Sequence, residues 1–200
     1  TYIVYVTGDY QTWKDVALKN TSTNPTCTVD GNNPACVVQT GRTDGWRTDG
    51  TGNELVNSTV SDAVNGVVSQ THGGTSIRGV ITYNNGFTST VSGVGGHGFY
   101  VHNDVGNARS EIKNSVSFGN YFMALQHYNQ VSAQSVGDMD FDEVVTLNGE
   151  FWIVGQGPKS DINVSDCHVY NGSFQFGYAD EVNVSGSVTD SVVYSSFNAK

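Results

Sequence analysis

The sequence predicts an all-β fold, a parallel β-solenoid in which one chain coils through stacked rungs. Three observations favour this fold. Helical periodicity is nearly absent, short apolar alternations end at Gly, Asn or Asp every few residues, and one strand motif recurs along the chain. An antiparallel β-sandwich is the alternative, but it gives no reason for a motif that recurs at a regular interval.

The recurring motif reads apolar-x-(Asn or Gly)-x-x. Three copies begin at Leu55, Ile77 and Ile112, and weaker copies begin at Val164 and Val184, so successive spacings are 22, 35, 52 and 20 residues. A rung of about 20–26 residues explains these spacings if one rung carries an inserted loop and one interval spans two rungs. Stacked strands lie about 4.8 Å apart, so equivalent side chains should form columns with Val, Ile, Leu and Phe inside.

Polar residues at the turns fit the same fold. Asn57, Asn114 and Asp166 recur within the motif copies. Asn and Asp hydrogen-bond the local backbone and tolerate left-handed conformations, and Gly fills corners where φ is positive. We therefore expect a corner of the solenoid at each of these positions.

The elements follow in chain order. Residues 2–6 predict a strand, residues 12–18 predict a second strand segment, and 41–46 predict a turn-rich connection. Loops are expected at 20–41 and at 85–96. All of residues 1–200 are interpreted as one domain, either a mature protein or a fragment of a longer chain.

The three cysteines divide into a pair and a single residue. Cys27 and Cys36 lie nine residues apart in the loop at 20–41, which predicts a disulfide; two unpaired thiols are the alternative. Cys167 has no obvious partner and is interpreted as a small buried residue.

Composition excludes several classes of partner. The chain has 200 residues, of which 14% are charged, and its formal net charge is -10. Nucleic acids and anionic membranes both need clustered Lys and Arg, so neither is expected as a partner. No apolar run approaches the roughly 20 residues that span a bilayer, so no membrane insertion is expected.

Potential glycosylation sites indicate the compartment. Asn-x-Ser/Thr acceptor sites occur at Asn20, Asn57, Asn163, Asn171 and Asn183. Together with the cysteine pair, they predict an extracellular or cell-surface protein.

Four stretches carry a family resemblance that covers roughly residues 10–175: Thr12-Trp13-Lys14-Asp15-Val16 with Asn20, Tyr83-Asn84-Asn85-Gly86, Gly96-His97-Gly98-Phe99-Tyr100 with Asn103-Asp104, and Asn114-Ser115-Val116-Ser117-Phe118. In these stretches the chain resembles extracellular right-handed parallel β-helix repeat proteins. The resemblance implies a single-stranded right-handed parallel β-helix, an architecture similar to that of polysaccharide lyases, polygalacturonases and alginate C5-epimerases. Adhesins and tailspikes share it, so the fold alone does not choose an activity.

One stretch shows the pattern of a small residue, an apolar residue and alternating polar or aromatic residues. The pattern occurs at Gly98 and again at Ala124, 26 residues later. If Phe99 and Val101 point inward, then Tyr100, His102 and Asp104 point outward.

The same spacing predicts two outward columns on neighbouring rungs. Tyr100, Gln126 and Trp152 should form one column, and His102 with Tyr128 the column beside it. Aromatic rings next to amide and imidazole groups suit sugars, whose apolar faces stack on rings while their hydroxyls seek hydrogen bonds.

Proton transfer on a glycan is the sharper hypothesis for this face. Tyr100, His102 and Asp104 are the candidate catalytic residues, with His102 as base and Tyr100 or Tyr128 as acid. The alternative is that they are ordinary surface residues. His127 is a further candidate, but parity places His97 and His127 toward the core or a corner.

An acidic run at 138–143 gives a candidate metal site. In an extended strand Asp138, Asp140 and Asp142 share one face, and carboxylate oxygens at alternate positions suit Ca²⁺. A solvated strand face is the alternative interpretation. The spacing is not that of an EF-hand loop, and no cofactor other than calcium is suggested.

Two functional hypotheses follow from the sequence. In the first, the protein binds or cleaves a polysaccharide or cell-surface glycan as a lyase, epimerase or hydrolase would. In the second, it is a structural surface protein such as an adhesin, tailspike or filament subunit. Strand edges at the solenoid ends would then pair between copies into a homo-oligomer or filament.

Overall fold

The structure is a computed structural model that describes residues 2–19, 44–70, 73–86, 96–101, 108–129, 138–155, 160–177, 184–194 and 196–199. Within these residues all regular secondary structure is β-strand, and the strands form two sheets. Strand pairing is parallel in both sheets. The all-β, parallel prediction is therefore confirmed, and the arrangement is compatible with a β-solenoid.

The first sheet has eight strands, which run in this order: β1 (Tyr2–Val6), β4 (Asp44–Thr48), β7 (Asn65–Ser69), β10 (His97–Val101), β12 (Met123–Asn129), β14 (Phe151–Gly155), β17 (Ser173–Phe176) and β20 (Ser196–Ala199). Register partners in its centre are Phe99, Leu125, Phe151 and Phe174, at spacings of 26, 26 and 23 residues. The 26-residue recurrence predicted at Gly98 and Ala124 is thus the register spacing of β10, β12 and β14.

The second sheet has twelve strands in two side-by-side columns. The first column contains β2 (Thr12–Lys14), β5 (Glu54–Val56), β8 (Ser76–Arg78), β15 (Ser160–Ser165) and β18 (Val184–Thr189); the second contains β3 (Ala17–Lys19), β6 (Thr59–Ser61), β9 (Ile81–Tyr83), β16 (His168–Tyr170) and β19 (Val192–Val193). The longer strands β11 (Ser110–Phe118) and β13 (Met139–Leu147) run through both columns. Along the sequence, each strand of the eight-stranded sheet from β1 to β17 is followed by one or two strands of the twelve-stranded sheet.

The core is a continuous stack of apolar side chains contributed by both sheets. Phe99, Leu125 and Phe151 from the eight-stranded sheet and Ile112 and Phe141 from the twelve-stranded sheet all have 0% exposure. Phe141 and Phe151 meet edge to face, with ring centroids 5.2 Å apart. The inward direction predicted for Phe99, Val101, Leu125, Phe151 and Ile153 is confirmed.

A column of left-handed residues forms the corner between the two halves of the twelve-stranded sheet. The predicted corner residues Asn57, Asn114 and Asp166 have φ of 48°, 48° and 49°, as expected for Asn and Asp at turns. Glu143 also adopts this conformation, with φ of 53°. The hydroxyl of Ser115, the residue after Asn114, donates to the Lys113 carbonyl and so helps to hold this corner in place.

Three sequence-based expectations are wrong. The copy of the motif assigned to Val184 is displaced by four residues, because Val164 pairs with Val188 and Ser160 pairs with Val184. Val-Ser-Gly-Ser-Val carries a valine at each end, so the pattern alone does not fix its register. The stretch predicted as a turn-rich connection ends in β4, where Trp46 is fully buried.

The third wrong expectation concerns direction. Val, Ile, Leu and Phe were expected inside, but in the second half of β11 and β13 Val116, Phe118, Val145 and Leu147 lie on the outer side, and Val144 alone stays in the core. Phe118 is 36% exposed, whereas Ser117 beside it has 0% exposure. The left-handed residue at each corner adds one residue to the alternation, so the side chains beyond it switch faces.

Cys167 is buried, as predicted, and is a free thiol. Cys27 and Cys36 lie outside the described residues, so their disulfide stays a prediction. No helix in the part of the chain that the structure describes is long and apolar enough to cross a bilayer.

Candidate functional site

The predicted glycan-binding face lies on the outer side of the eight-stranded sheet. Tyr100 pairs with Gln126 and Gln126 pairs with Trp152, so the three side chains form the column that their spacing predicts. All three are partly exposed. Trp152 in turn pairs with Gln175, which extends the column by one strand.

The neighbouring column is only partly described. Tyr128 pairs with Val154 beside Trp152, and its side chain is partly exposed. His102 and Asp104 lie outside the described residues. The catalytic roles assigned to them therefore stay predictions.

The same column continues in the other direction over β7, β4 and β1, of which the sequence predicted only β1 as a strand. Tyr100 pairs with Val68, Val68 pairs with Arg47, and Arg47 pairs with Tyr5. Val68 has 0% exposure although it belongs to the outward column. The guanidinium carbon of Arg47 lies 5.7 Å from the centroid of the Tyr5 ring, within the range of a cation–π contact.

Carboxylates surround the Arg47 guanidinium. Its Nη1 lies 3.4 Å from Asp44 Oδ2, its Nε donates to Asp49 Oδ1 at 3.2 Å, and its Nη2 donates to Gln70 Oε1. The Tyr5 hydroxyl donates to the other oxygen of Asp49. Two carboxylates against one guanidinium leave this end of the face without excess positive charge.

A buried polar row lies beside the column. Asp44 and Asn65 have 0% exposure and His97 has 7%. Asn65 Nδ2 donates to Asp44 Oδ1 at 2.8 Å, and Asn65 Oδ1 lies 3.0 Å from His97 Nδ1. A carboxylate only accepts hydrogen bonds, so the Asn65 amide must direct its oxygen toward His97, which then carries a proton on Nδ1.

His97 connects this row to the outer face. Its ring stacks on Tyr100 with centroids 4.7 Å apart and meets Phe122 edge to face at 5.4 Å. Its predicted burial is confirmed, but it contacts a member of the outward column. His127 is different: it has 0% exposure and its ring lies 6.2 Å from Phe141 in the core, as parity predicts.

A glycine directly follows each member of this row, at Gly45, Gly66 and Gly98. A β-carbon on Gly98 would lie 2.0 Å from Ser117 Oγ and 2.5 Å from Thr82 Oγ1, so this position faces the interior without room for a side chain. Gly45 is similarly close to Val60 Cγ1, at 2.2 Å. The sequence itself indicates that these two glycines are equivalent, because Gly45-Trp46 repeats the pattern of a small and then an apolar residue seen at Gly98-Phe99.

The predicted calcium ligands lie on the outer side of the twelve-stranded sheet. Asp140 and Asp142 belong to β13, and Asp138 directly precedes it, while Met139 and Phe141 point into the core. Asp142 Oδ1 accepts from Ser165 Oγ at 2.7 Å, and Asp140 Oδ1 accepts from Asn163 Nδ2 at 3.0 Å.

Arg109 supplies a positive charge to this acidic cluster. Its Nη1 donates to Asp140 Oδ1 at 2.7 Å, its Nη2 donates to Asp161 Oδ2 at 2.6 Å, and Nη2 lies 3.8 Å from Asp138 Oδ2. Desolvation alone would lower the pKa of Arg109, but the hydrogen bonds to Asp161 and Asp140 outweigh it and raise that pKa. Among the described residues no group of three His, Cys, Asp or Glu is placed to hold a metal ion. Calcium binding stays a prediction.

The glycosylation candidates fall in different environments. Asn57 is exposed at a corner, and Asn171 is exposed while donating through Nδ2 to Asn148 Oδ1 at 2.7 Å. The amide of Asn163 is engaged by Asp140. Asn20 and Asn183 lie outside the described residues.

Comparison of the chain with protein-family models, with curated proteins and with solved structures finds no match.

Proposed function

We propose that this chain is a right-handed, single-stranded parallel β-helix that acts outside the cell and binds a polysaccharide along the outer face of its eight-stranded sheet. The observation that carries the proposal is the register-aligned column of Tyr100, Gln126 and Trp152. Strands that alternate between two parallel sheets support the helix, and its handedness follows the strong preference of parallel crossover connections.

The chemistry of the face supports a sugar ligand. Trp152 offers a partly exposed ring, and Tyr100, one face of which is covered by His97, offers a second ring two strand spacings away, or roughly 10 Å, with the Gln126 amide between them. Rings contact the apolar faces of sugars, and amide groups hydrogen-bond sugar hydroxyls. A run of such groups along stacked strands suits an extended chain of repeating units.

The charges favour a neutral glycan. Arg47 is the basic side chain that the described strands place in this column, and Asp44 and Asp49 already neutralise it. A uronate carboxylate would therefore meet no excess positive charge, and the net charge of -10 on the whole chain would repel it. Cleavage of the bound glycan depends on His102 and Asp104 and remains a separate hypothesis.

Titration of purified protein with a panel of neutral and uronate polysaccharides tests the proposal. We expect saturable binding to a neutral glycan, weakened about 10-fold or more by Trp152→Ala, because loss of one stacked ring typically costs over 1 kcal/mol. Tyr10→Ala is the matched control, since Tyr10 is 77% exposed and lies outside the face. Absence of binding to every glycan, or equal losses in both variants, would overturn the proposal.

The same panel separates binding from catalysis. If His102 is a general base, His102→Ala should abolish product formation and leave the dissociation constant within about threefold. The same assays repeated with a chelator show whether binding or cleavage requires calcium. Binding without cleavage in any assay would restrict the protein to recognition.

A structural role on the cell surface is the second candidate function. One observation favours it: the outer side of the second half of the twelve-stranded sheet carries exposed apolar side chains, among them Ile81 and Tyr170, 38% and 37% exposed. An exposed apolar patch of this kind is typical of an interaction surface.

A further inference from the structure

Two columns of outward side chains cover the second half of the twelve-stranded sheet. Register pairing aligns Ile81, Val116, Val145, His168 and Val192 in one column. The other column contains Tyr83, Phe118, Leu147, Tyr170 and Tyr194. We call these two columns the outer apolar strip.

On the central rungs of this part of the sheet the polarity is inverted. The inward positions Thr82, Ser117 and Thr146 lie between strip residues, and each has 0% exposure. Thr82 Oγ1 donates to Ser117 Oγ at 3.0 Å, and Ser117 Oγ donates to the Ala124 carbonyl at 2.6 Å. The next inward positions, Val169 and Val193, are apolar, so the inversion ends there. A half-exposed sheet ordinarily places apolar residues inside and polar residues outside, whereas the central rungs carry apolar side chains on the outside.

The strip also lacks charge. None of its ten members is Asp, Glu, Lys or Arg. On the first half of the same sheet, by contrast, outward residues form ion pairs, such as Arg78 with Glu54 at 3.3 Å and Lys113 with Glu111 at 3.0 Å. Depletion of charge is the compositional mark of the buried centre of a protein interface.

Ring orientation argues against a sugar on this strip. Tyr83 stacks on Phe118 with centroids 5.4 Å apart and planes 8° apart, and Tyr170 stacks on Tyr194 at 4.6 Å and 10°. Paired rings turn their faces to each other and offer mainly edges to the outside. The hydrogen-bonding groups of the strip are three tyrosine hydroxyls and the His168 imidazole, and its other six members offer none to sugar hydroxyls.

The exposed area suits a protein interface of ordinary size. Five members are substantially exposed: Phe118 36%, Tyr170 37%, Val192 37%, Ile81 38% and Tyr194 61%. Since a large side chain offers on the order of 150–250 Å², the whole strip exposes roughly 500 Å². One side of a standard interface buries about 800 Å², of which about 56–65% is apolar, or roughly 450–520 Å².

We propose that the outer apolar strip is the interface at which two copies of this chain pack face to face. Sheet faces pack about 10 Å apart, and the two strips carry side chains at the same strand spacing of about 4.8 Å, so their columns can interdigitate. A two-fold axis makes the contact self-complementary and closes the assembly at two copies. The proposal is independent of glycan binding, which uses the other sheet.

The charge distribution predicts how this dimer responds to salt. Glu143, Asp166 and Asp190 are exposed at the corner that borders the strip, and each copy has a net charge of -10. Approach of two copies is therefore opposed by repulsion that salt screens. Dimerisation should strengthen as the salt concentration rises from about 0.05 M to 0.5 M, whereas an ion-paired interface would weaken.

Sedimentation equilibrium of the full chain over a concentration and salt series tests the proposal. We expect a monomer–dimer equilibrium, weakened about 100-fold or more by Phe118→Lys, since the substitution places a charge at the centre of the interface twice per dimer. Tyr121→Lys is the matched control, because Tyr121 is 44% exposed but lies outside the strip. It should leave dimerisation within about threefold.

Tyr170→Lys, two rungs away from Phe118, provides a second variant, and thermal melting of each variant shows whether it is folded. A folded Phe118→Lys or Tyr170→Lys variant that remains dimeric would overturn the proposal. A wild-type chain that stays monomeric at every concentration, assembles beyond two copies or loses dimer as salt rises would overturn it equally. Glycan binding that these two variants abolish would assign the strip to a sugar instead.

Discussion

The two halves of strands β11 and β13 contain the same kinds of residue in opposite orientations. Before the corner, Ile112 and Phe141 point into the core, and charged residues such as Lys113 point out. Beyond the corner, Phe118 points out and Ser117 points in. A single left-handed residue, Asn114 in β11 or Glu143 in β13, separates the two regimes. Orientation in this sheet therefore depends on the corner, and hydrophobicity alone does not decide it.

The largest expected effect compares two phenylalanines on opposite sides of that corner. Phe141→Ala should lower the free energy of unfolding by about 3–5 kcal/mol, because it removes a fully buried ring that packs on Phe151. Phe118→Ala should lower it by less than about 1 kcal/mol, since its ring is partly exposed and stacks on Tyr83. Urea denaturation at a concentration that keeps the chain monomeric measures both. Equal losses would show that orientation beyond the corner is not inverted.

A smaller effect is expected when the corner residue itself is changed. Asn114 has φ of 48°, where a β-branched side chain is strained, so Asn114→Val should cost about 1–2 kcal/mol. Asn114→Gly is the control and should lie within about 0.5 kcal/mol of the wild type, because Gly79 holds the same position one rung earlier with φ of 64°. A neutral Asn114→Val variant would contradict a left-handed corner here.

Alkaline pH tests the interior just beyond this corner, where Cys167 follows the left-handed residue Asp166. Burial raises the pKa of Cys167 to about 12, from 9.0 for an exposed thiol. Between these values the unfolded chain releases a proton that the folded chain retains. The contribution of the Cys167 thiol to the free energy of unfolding is therefore fully present below about pH 9. Above that pH it falls by up to about 1.4 kcal/mol per pH unit.

Other groups titrate in the same pH range. The difference in unfolding free energy between the wild type and Cys167→Ser therefore isolates the contribution of the thiol. Serine suits this position because Ser191, its neighbour one rung later, donates its hydroxyl to the Thr189 carbonyl, as Cys167 Sγ does to the Ser165 carbonyl. Unfolding free energies of the two proteins should run parallel up to about pH 9 and then approach each other or cross. Parallel curves up to pH 11 would mean that the Cys167 thiol is not buried.

Local rules in the sequence were enough to predict part of the fold and of the site. A repeat of 26 residues placed Tyr100, Gln126 and Trp152 in one column, and the turn preference of Asn and Asp located the corners at Asn57 and Asn114. The first inference uses a constant spacing between successive rungs, and the second uses the conformational preference of single residues. They needed no knowledge of how strands meet.

Features that depend on several rungs at once were not predictable in this way. The row of Asp44, Asn65 and His97 joins residues separated by 21 and 32 positions, because loops of different length interrupt the repeat. The inversion beyond Asn114 was missed for another reason. Strict alternation carries Val116 and Phe118 to the same side as Ile112, and only the left-handed φ of Asn114 changes that.

The smallest expected effect probes the polar interior behind the outer apolar strip. Thr146 Oγ1 is buried and has no hydrogen-bond partner within the described part of the chain, whereas Thr82 Oγ1 donates to Ser117. Replacing the Thr146 hydroxyl by a methyl group removes a desolvated polar atom, so Thr146→Val should raise the free energy of unfolding by about 1 kcal/mol. Thr82→Val should lower it by about 1 kcal/mol, because a hydrogen bond is lost. Urea denaturation measures both changes. Opposite signs are expected if the polar interior is only partly hydrogen-bonded. If it were uniformly hydrogen-bonded, both substitutions would destabilise the fold.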